Sequence, residues 1–222
     1  MKALVYDGVE TLGYREVAEP VPAPGDHLIK VEAVGICGSD MHAYLGHDDR
    51  RPAPLILGHE AAGTVVDGPW KGRRVTINPL VTNPNSSYSK AGRENLCPDR
   101  QIISMPPREG AFAQFVTMPE RNLVDVPDGV SLDKAALAEP LAVSWHAARL
   151  GVEAWHPAMD RRVLVIGGGA IGLAAALAFR AMGVTDITLS EPNAARRAYL
   201  EDTCGQACVA APSGRYPLVV DA

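Results

Sequence analysis

Two short segments early in the chain carry side chains of the types that bind transition metals. Cys37 opens the first, Cys-Gly-Ser-Asp-Met-His, and His59 is followed directly by Glu60 in the second. Thiolate, imidazole and carboxylate are ligand types that suit zinc. Ligands on different loops, with one position left open, are typical of a catalytic rather than a structural metal site. A buried thiol beside two unrelated polar loops is the alternative that spacing alone leaves open.

A second motif lies at residues 167–172, where Gly-Gly-Gly-Ala-Ile-Gly fits the G-x-G-x-x-G pattern of dinucleotide-binding loops. It follows the apolar run Val163–Ile166 and opens an alanine-rich stretch, which is the strand-to-helix context that the motif requires. The free N–H groups of such a helix N-terminus attract a pyrophosphate. The residues expected to contact the dinucleotide are Gly167, Gly169, Ala170, Ile171 and Gly172. A glycine-rich structural turn is the alternative.

A carboxylate and two arginines follow the next predicted strand. Glu191 comes directly after Ile187–Ser190, at the place where a carboxylate would hydrogen-bond the ribose hydroxyls of NAD. Its negative charge would repel the 2′-phosphate of NADP, which favours NAD as the cofactor. Arg196 and Arg197, on the next predicted helix, would attract such a phosphate, so NADP remains the less favoured alternative.

Three further stretches stand in a fixed order: residues 35–42 (GICGSDMH), 57–63 (LGHEAAG) and 139–143 (EPLAV). With the glycine loop in its place, they resemble the zinc-containing medium-chain alcohol dehydrogenase family, and within it the sorbitol dehydrogenase branch. The resemblance covers nearly the whole chain. It implies an α/β protein with a GroES-like, β-rich catalytic domain at residues 1–145 and a Rossmann dinucleotide-binding domain at residues 146–222. Only the first half of a Rossmann sheet, or slightly more, precedes Ala222, so the second domain is expected to be truncated.

The resemblance also implies a set of zinc ligands. Cys37 and His59 match ligands, and Glu60 matches the third ligand of the sorbitol-type branch. Glu139 matches a carboxylate near the metal that binds it directly or through water. Glu60 ranks only slightly above Glu139 as the third ligand.

Three polar residues match supporting roles in catalysis. Asp40 matches an acid that orients a ligand histidine, and a turn cap is its alternative role. Ser39 and His42 match a relay that carries the substrate's proton toward solvent. A backbone-bonded turn hydroxyl is the alternative for Ser39, and a solvated surface histidine is the alternative for His42.

The implied reaction is oxidation of a secondary alcohol, a polyol or sugar alcohol, with transfer of a hydride to NAD. A zinc ion lowers the pKa of the bound alcohol, and the nicotinamide accepts the hydride. Threonine-type and simple alcohol dehydrogenases are the nearest alternatives. A zinc-free quinone or enoyl reductase shares the architecture without the ligand set. A non-catalytic nucleotide-binding protein is the remaining class if the chain is truly truncated.

Cys97 marks a lobe in which many relatives hold a second, structural zinc on four cysteines. Counting back by the family's spacing places Asn83, Ser86 and Ser89 where the other thiols would stand. One thiol and two hydroxyls cannot make the usual closed tetrathiolate site. One zinc per chain, the catalytic one, is therefore expected, with Cys97 packed as a small apolar group.

Composition narrows the remaining classes of protein. The chain has 222 residues, 47% of them hydrophobic, and a net charge of −5, so a sizeable core can form. The chain has no basic run or stripe of the kind that would indicate a nucleic-acid partner. No apolar stretch approaches the ~20 residues that span a membrane. Four cysteines and no signal peptide favour the cytoplasm. A homo-oligomer, dimer or tetramer, is implied by the family resemblance alone.

The elements that must position these motifs change character along the chain. Short Val/Ile-rich runs between turn residues predict an irregular β domain before about residue 130: Leu28–Val34, Ala62–Val66, Arg73–Ile77 and Phe112–Met118. A short helix is then expected to end near Glu139 and a longer one to start at Pro140 or Leu141. Alternating strands and helices predict a parallel sheet after that: Val163–Ile166, Ala170–Met182, Ile187–Ser190, Ala194–Asp202 and Leu218–Asp221.

Overall fold

The computed structural model describes every residue from Met1 to Ala222, and the chain divides into two compact units. The first comprises Met1–Glu139 and the second Pro140–Ala222. The boundary expected at residues 145/146 lies inside a helix that runs from Ala138 to Ala154. None of the helices combines the length and the apolar character needed to cross a bilayer.

Ten short strands build the first unit. They are β1 (Lys2–Gly8), β2 (Thr11–Glu16), β3 (Asp26–Gly35), β4 (Leu55–Ile56), β5 (Glu60–Val65), β6 (Arg74–Ile77), β7 (Leu80–Val81), β8 (Gln101–Ile102), β9 (Phe115–Pro119) and β10 (Leu123–Asp125). A five-stranded antiparallel sheet has the order β10-β6-β5-β3-β9. A three-stranded sheet has the order β2-β1-β4, and β7 pairs with β8. This architecture confirms the predicted β-rich first domain.

Apolar side chains on one face of the five-stranded sheet form the core of this unit. Ile29, Val65, Val75 and Met118 are all at most 1% exposed and belong to one cluster. Successive side chains of a strand point to opposite faces, so alternating apolar positions bury one face and leave the other free for polar groups. The buried face holds β3 and β5 in a fixed register.

Three short helices belong to the first unit: α1 (Gly38–Tyr44), α2 (Ser87–Lys90) and α3 (Leu132–Ala135). Three 3-10 turns accompany them at Gly68–Trp70, Glu94–Leu96 and Glu120–Asn122. Helix α1 starts directly after Cys37, whose backbone N–H donates to the Asp40 carboxylate at 2.9 Å. A side chain at the third helical position that reaches back to the N-cap is a common way to begin a helix.

Helix α4 (Ala138–Ala154) differs from the expected helix in where it begins. It begins two residues before Pro140, and α3 ends at Ala135 rather than near Glu139. The first N–H groups of a helix have no partner within it, so proline in the first turn removes no hydrogen bond. Pro140 is therefore compatible with an uninterrupted helix.

The second unit confirms the predicted parallel sheet. After α4 it contains β11 (Arg162–Ile166), α5 (Ala170–Ala181), β12 (Asp186–Ser190), α6 (Ala194–Asp202), β13 (Cys208–Val209) and β14 (Leu218–Asp221). The strand order is β13-β12-β11-β14, and all three pairings are parallel. Strand β13 was not predicted, because two residues are too few to form a recognisable apolar run. Phe179, Val163 and Leu189 are fully buried between sheet and helices.

Candidate functional site

The pairing of β3 with β5 brings the two candidate metal-binding segments together. Gly35, the last residue of β3, lies opposite Glu60, the first residue of β5. Cys37 follows β3 and His59 precedes β5, so both lie at the same end of the strand pair. An antiparallel register thus joins residues that are far apart in sequence.

Cys37, His59 and Glu60 form one compact group of possible metal ligands. Their donor atoms all lie within 4.8 Å of one another. His59 and Glu60 are 7% and 6% exposed, and Cys37 is half-buried. A thiol, an imidazole and a carboxylate this close together fit a zinc ion that has three protein ligands and one open position.

The Glu60 carboxylate occupies space that exists only because residue 35 is a glycine. A Cβ atom added at Gly35 would lie 2.1 Å from Oε2 of Glu60. Any larger residue at position 35 would therefore push this carboxylate away from the group.

Asp40 links the two candidate metal-binding segments by hydrogen bonds. Its carboxylate accepts a hydrogen bond from the Cys37 N–H at 2.9 Å and one from the Gly58 N–H at 3.2 Å. Its Oδ1 also lies 3.6 Å from Nδ1 of His59. Asp40 is 3% exposed, and an acid in this place fixes the orientation of a histidine ligand and raises its basicity.

The Cys37 thiol and the His59 imidazole shift each other's pKa. Although burial alone would lower the pKa of His59, the Asp40 carboxylate and the Cys37 thiol raise it to about 10. The His59 imidazole is the main reason that the pKa of the Cys37 thiol is lowered, against the opposing effect of burial. Each of the two groups therefore favours the charged form of the other.

Glu139 lies close enough to this group to interact with its charges. Burial raises the pKa of the Glu139 carboxyl, the charge of His59 opposes that rise, and the charges of Glu60 and Asp40 add to it. The compact group of donor atoms contains Glu60 and does not contain Glu139.

Helix α1 carries both residues of the expected proton relay. Ser39 is half-buried in its first turn, and its hydroxyl accepts a hydrogen bond from Nη2 of Arg51 at 3.4 Å. His42 is exposed, and its ring meets that of His47 edge-on, with 6.3 Å between centroids. The exposed position of His42 suits exchange of a proton with water.

Two residues at the site were missed by the sequence analysis. Arg51 is 3% exposed, although a loop arginine is expected to be solvated. Ser104 is fully buried, has a φ of 65°, and places its hydroxyl 3.4 Å from Nδ1 of His59. Arg51 lies in a polar loop and Ser104 lies in an apolar run. Neither belongs to a sequence motif that would indicate a role at this site.

The lobe around Cys97 is held by hydrogen bonds between side chains. The Ser86 hydroxyl accepts from the Ser89 N–H at 3.0 Å and lies 2.9 Å from the Ser89 hydroxyl. Asn83 accepts from the Asn85 N–H at 2.9 Å. Cys97 is fully buried. The lobe is therefore a turn-rich loop with its own polar network.

The glycine loop joins β11 to α5 at the point where the strand order reverses. Ligands of open parallel sheets bind at such a point, beyond the carboxyl ends of the strands. Gly169 is the N-cap of α5 with no side chain to satisfy the first N–H groups, and the space beside it is open to 4 Å. A Cβ atom at Gly172 would lie 1.9 Å from the Gly167 carbonyl oxygen, so the loop can pack on α5 only with glycine there.

Glu191 is positioned at the carboxyl end of β12 by the glycine loop itself. Its carboxylate accepts from the N–H of Asn193 at 2.7 Å and from the N–H of Gly168 at 3.1 Å. Arg196 donates to the same carboxylate at 3.1 Å, and its side chain is 54% exposed. The Asn193 N–H, followed by Arg196 and the Gly168 N–H, lowers the pKa of Glu191. A charged acceptor therefore lies beside the loop.

Comparisons with known proteins point to one family. Residues 23–128 match the family described as the alcohol dehydrogenase GroES-like domain. Sorbitol dehydrogenase of Ovis aries is 36% identical over 203 residues, which cover 87% of this chain and 56% of that protein. The chain thus spans about half the length of the curated relatives it matches.

Two solved structures are similar over nearly the whole chain. A protein from Sinorhizobium meliloti 1021, provisionally assigned as a zinc-binding dehydrogenase and bound to NADP, is 32% identical with a TM-score of 0.80, and covers 99% of this chain and 61% of its own. 2R,3R-butanediol dehydrogenase from Bacillus subtilis is 30% identical with a TM-score of 0.79, and covers 94% and 62%. Residues 23–128 thus belong to the alcohol dehydrogenase GroES-like domain family, and the chain as a whole is similar to the sorbitol dehydrogenase branch of the zinc-containing medium-chain alcohol dehydrogenases.

Proposed function

We propose that this protein is a zinc-dependent oxidoreductase that transfers a hydride from a secondary alcohol, a polyol or sugar alcohol, to NAD. One observation carries the proposal: the donor atoms of Cys37, His59 and Glu60 lie within 4.8 Å of one another. The sorbitol dehydrogenase relatives and the diol dehydrogenase structure support the substrate class.

Cys37, His59 and Glu60 would hold the zinc ion, with Glu139 as a nearby carboxylate. When bound there, zinc supplies Lewis-acid chemistry that makes an alcohol easier to deprotonate. The Cys37 thiolate and the Glu60 carboxylate would neutralise the two charges of the ion, so the buried site would carry little excess charge. Asp40 keeps the His59 ring in the orientation that ligation needs.

The second unit would hold the dinucleotide by its phosphates and its ribose. The N-terminus of α5 offers backbone N–H groups to the pyrophosphate at Gly169, Ala170 and Ile171. Glu191 would accept from the ribose hydroxyls. Arg196 already pairs with Glu191, so the positive charge of Arg196 is partly neutralised and attracts a 2′-phosphate less. NAD is therefore favoured over NADP, although the solved Sinorhizobium meliloti relative binds NADP.

Ser39 and His42 would carry the substrate's proton to solvent. Ser39 lies two residues after the Cys37 ligand, and His42 lies one helical turn further along α1, exposed to water. Ser39→Ala assayed with saturating zinc should have a kcat lowered by about 100-fold, the size expected for one proton-transfer group. An unchanged kcat would remove Ser39 from the relay.

The metal centre can be tested by zinc stoichiometry. The purified protein should hold one zinc per chain, and Cys37→Ser should lose both the metal and turnover. Cys204→Ser is the matched control, because Cys204 is a partly buried thiol of the second unit. Turnover that survives in Cys37→Ser without bound metal would contradict the mechanism, and two zinc ions per chain would contradict the single-site proposal.

The substrate class can be tested by NAD reduction with a panel of alcohols. Polyols should be oxidised faster than simple secondary alcohols, and both faster than threonine. A preference for threonine or for simple alcohols would identify one of the two alternative activities. Binding of zinc and NADH with no oxidation of any alcohol would favour a non-catalytic nucleotide-binding protein.

We also propose a cytoplasmic protein that forms a dimer or tetramer. Four free thiols suit a reducing compartment, and the oligomer rests on the family resemblance. Light scattering of the purified protein tests the assembly.

A further inference from the structure

Arg51 makes three hydrogen bonds in three directions. Its Nε donates to the backbone carbonyl of Ser104 at 3.0 Å, and its Nη2 donates to the Ser39 hydroxyl at 3.4 Å. Its Nη1 donates to the carboxylate of Asp48. The side chain is 2% exposed, so the planar guanidinium links three chain segments inside the protein.

A buried guanidinium is held in place by a buried counter-charge. The Asp48 side chain is only 7% exposed. A buried ion pair is costly to desolvate, and it is no better for stability than well-packed apolar side chains. The stability of the fold therefore does not by itself explain why the Asp48–Arg51 pair is buried.

Both residues that Arg51 orients lie next to proposed zinc ligands. Ser39 follows Cys37 by two residues and lies in the first turn of α1, which starts directly after Cys37. The Ser104 hydroxyl lies 3.4 Å from Nδ1 of His59. Ser104 has a left-handed backbone with φ of 65°, a conformation that persists only when its surroundings hold it.

We propose that Arg51 is a positioning residue of the metal centre, which holds Ser39 and Ser104 in place beside Cys37 and His59 and thereby sets the affinity for zinc. This inference rests on the zinc site of the proposed function. Arg51 makes no hydrogen bond to any of the proposed ligands and acts through its hydrogen-bond partners.

The test compares two adjacent arginines. Because Arg51 acts through Ser39 and Ser104, Arg51→Met should weaken zinc binding by about 10-fold, the lower end of the effect of losing an outer contact to a metal ligand. Arg50→Met is the matched control: Arg50 pairs with the same Asp48 at 2.7 Å, but its side chain is 70% exposed. It should leave zinc affinity unchanged. Affinity is measured by competition with a fluorescent zinc chelator at a temperature where every variant is folded.

A double-mutant cycle separates positioning from general stabilisation. In a Ser39→Ala, Ser104→Gly background, which lacks both hydroxyls, Arg51→Met should weaken zinc binding no further. Glycine at position 104 tolerates the left-handed backbone, so this background keeps the turn. A full additional loss in that background would show that Arg51 acts through the fold, and would overturn the proposal.

Arg51→Lys keeps the test decisive if Arg51→Met does not fold. Lysine keeps the positive charge for Asp48, but one ammonium group cannot replace the three divergent donors of the guanidinium. Arg51→Lys should therefore fold and bind zinc more weakly than the wild type. Wild-type affinity in Arg51→Lys and Arg51→Met overturns the inference and leaves the zinc site standing, whereas a wild-type protein that binds no zinc overturns both.

Discussion

Glu60 lies directly opposite Gly35 in the antiparallel pair β3–β5, and its carboxylate fills the space that a side chain at position 35 would take. The register of two strands therefore decides which carboxylate meets Cys37 and His59. A shift by one residue would turn Glu60 to the other face of the sheet. The proposed metal centre is thus a product of strand pairing.

Gly35→Ala should weaken zinc binding without unfolding the protein. The added methyl would lie 2.1 Å from Oε2 of Glu60, so the flexible carboxylate must move away from Cys37. Gly38→Ala is the matched control, since a Cβ there meets nothing within 4 Å. Chelator competition measures zinc affinity, and circular dichroism checks the fold. Equal zinc affinity in the two variants would contradict a ligand role for Glu60.

Zinc binding should release protons, with His59 as their main source. The pKa of His59 is raised to about 10, so the ring is protonated at neutral pH, whereas zinc binds only the neutral ring. About one proton per zinc should leave His59, and zinc affinity should fall as pH is lowered below about 10. Calorimetry in two buffers with different heats of ionisation measures the release. Identical heats in both buffers would contradict it.

Asp48→Asn should destabilise the protein near neutral pH and have less effect in acid. The hydrogen bond from Arg50 is the main reason that the pKa of Asp48 is lowered to about 2, with Arg51 adding to it against burial. A lowered pKa stabilises the folded state above the unfolded value of about 4, by roughly 2 kcal/mol, and this is lost as pH falls toward 2. Urea unfolding across that range measures the difference.

The exposed neighbour Asp49 supplies the control, because it makes no ion pair. Asp49→Asn should leave the unfolding free energy nearly unchanged at every pH. A constant gap between wild type and Asp48→Asn from neutral pH to acid would show that the ion pair is not its origin.

Gly172→Ala and Gly169→Ala should affect the second unit in different ways. A methyl at Gly172 would lie 1.9 Å from the Gly167 carbonyl, so that variant should lose stability by about 1–3 kcal/mol, as overpacked positions do.

A methyl at Gly169 meets nothing within 4 Å. Gly169→Ala should therefore keep its stability yet bind NADH weakly, because the methyl blocks the approach of a phosphate. NADH fluorescence and thermal melting measure the two effects, and tight NADH binding by Gly169→Ala would exclude the loop as the phosphate site.

Several features could be predicted because their signals are local. The glycine loop, the strand before it and the helix after it form one continuous segment, and alternation of strands with helices predicts a parallel sheet. The start of α4 and the two-residue strand β13 were not predicted correctly. A proline in the first turn removes no hydrogen bond from the helix, so its presence does not reveal where the helix begins. Two residues are too few to form a recognisable strand pattern.

The sequence by itself determined the kinds of ligand available, the family and the order of the elements, because residue type and spacing carry that information. Only the tertiary structure decided that Glu60, rather than Glu139, joins Cys37 and His59, and that Arg51 and Ser104 lie against the same site. These contacts depend on strand register and on loops packed from distant parts of the chain. Burial and the pairing of residues far apart in sequence determine these contacts, and no local sequence pattern indicates either of the two.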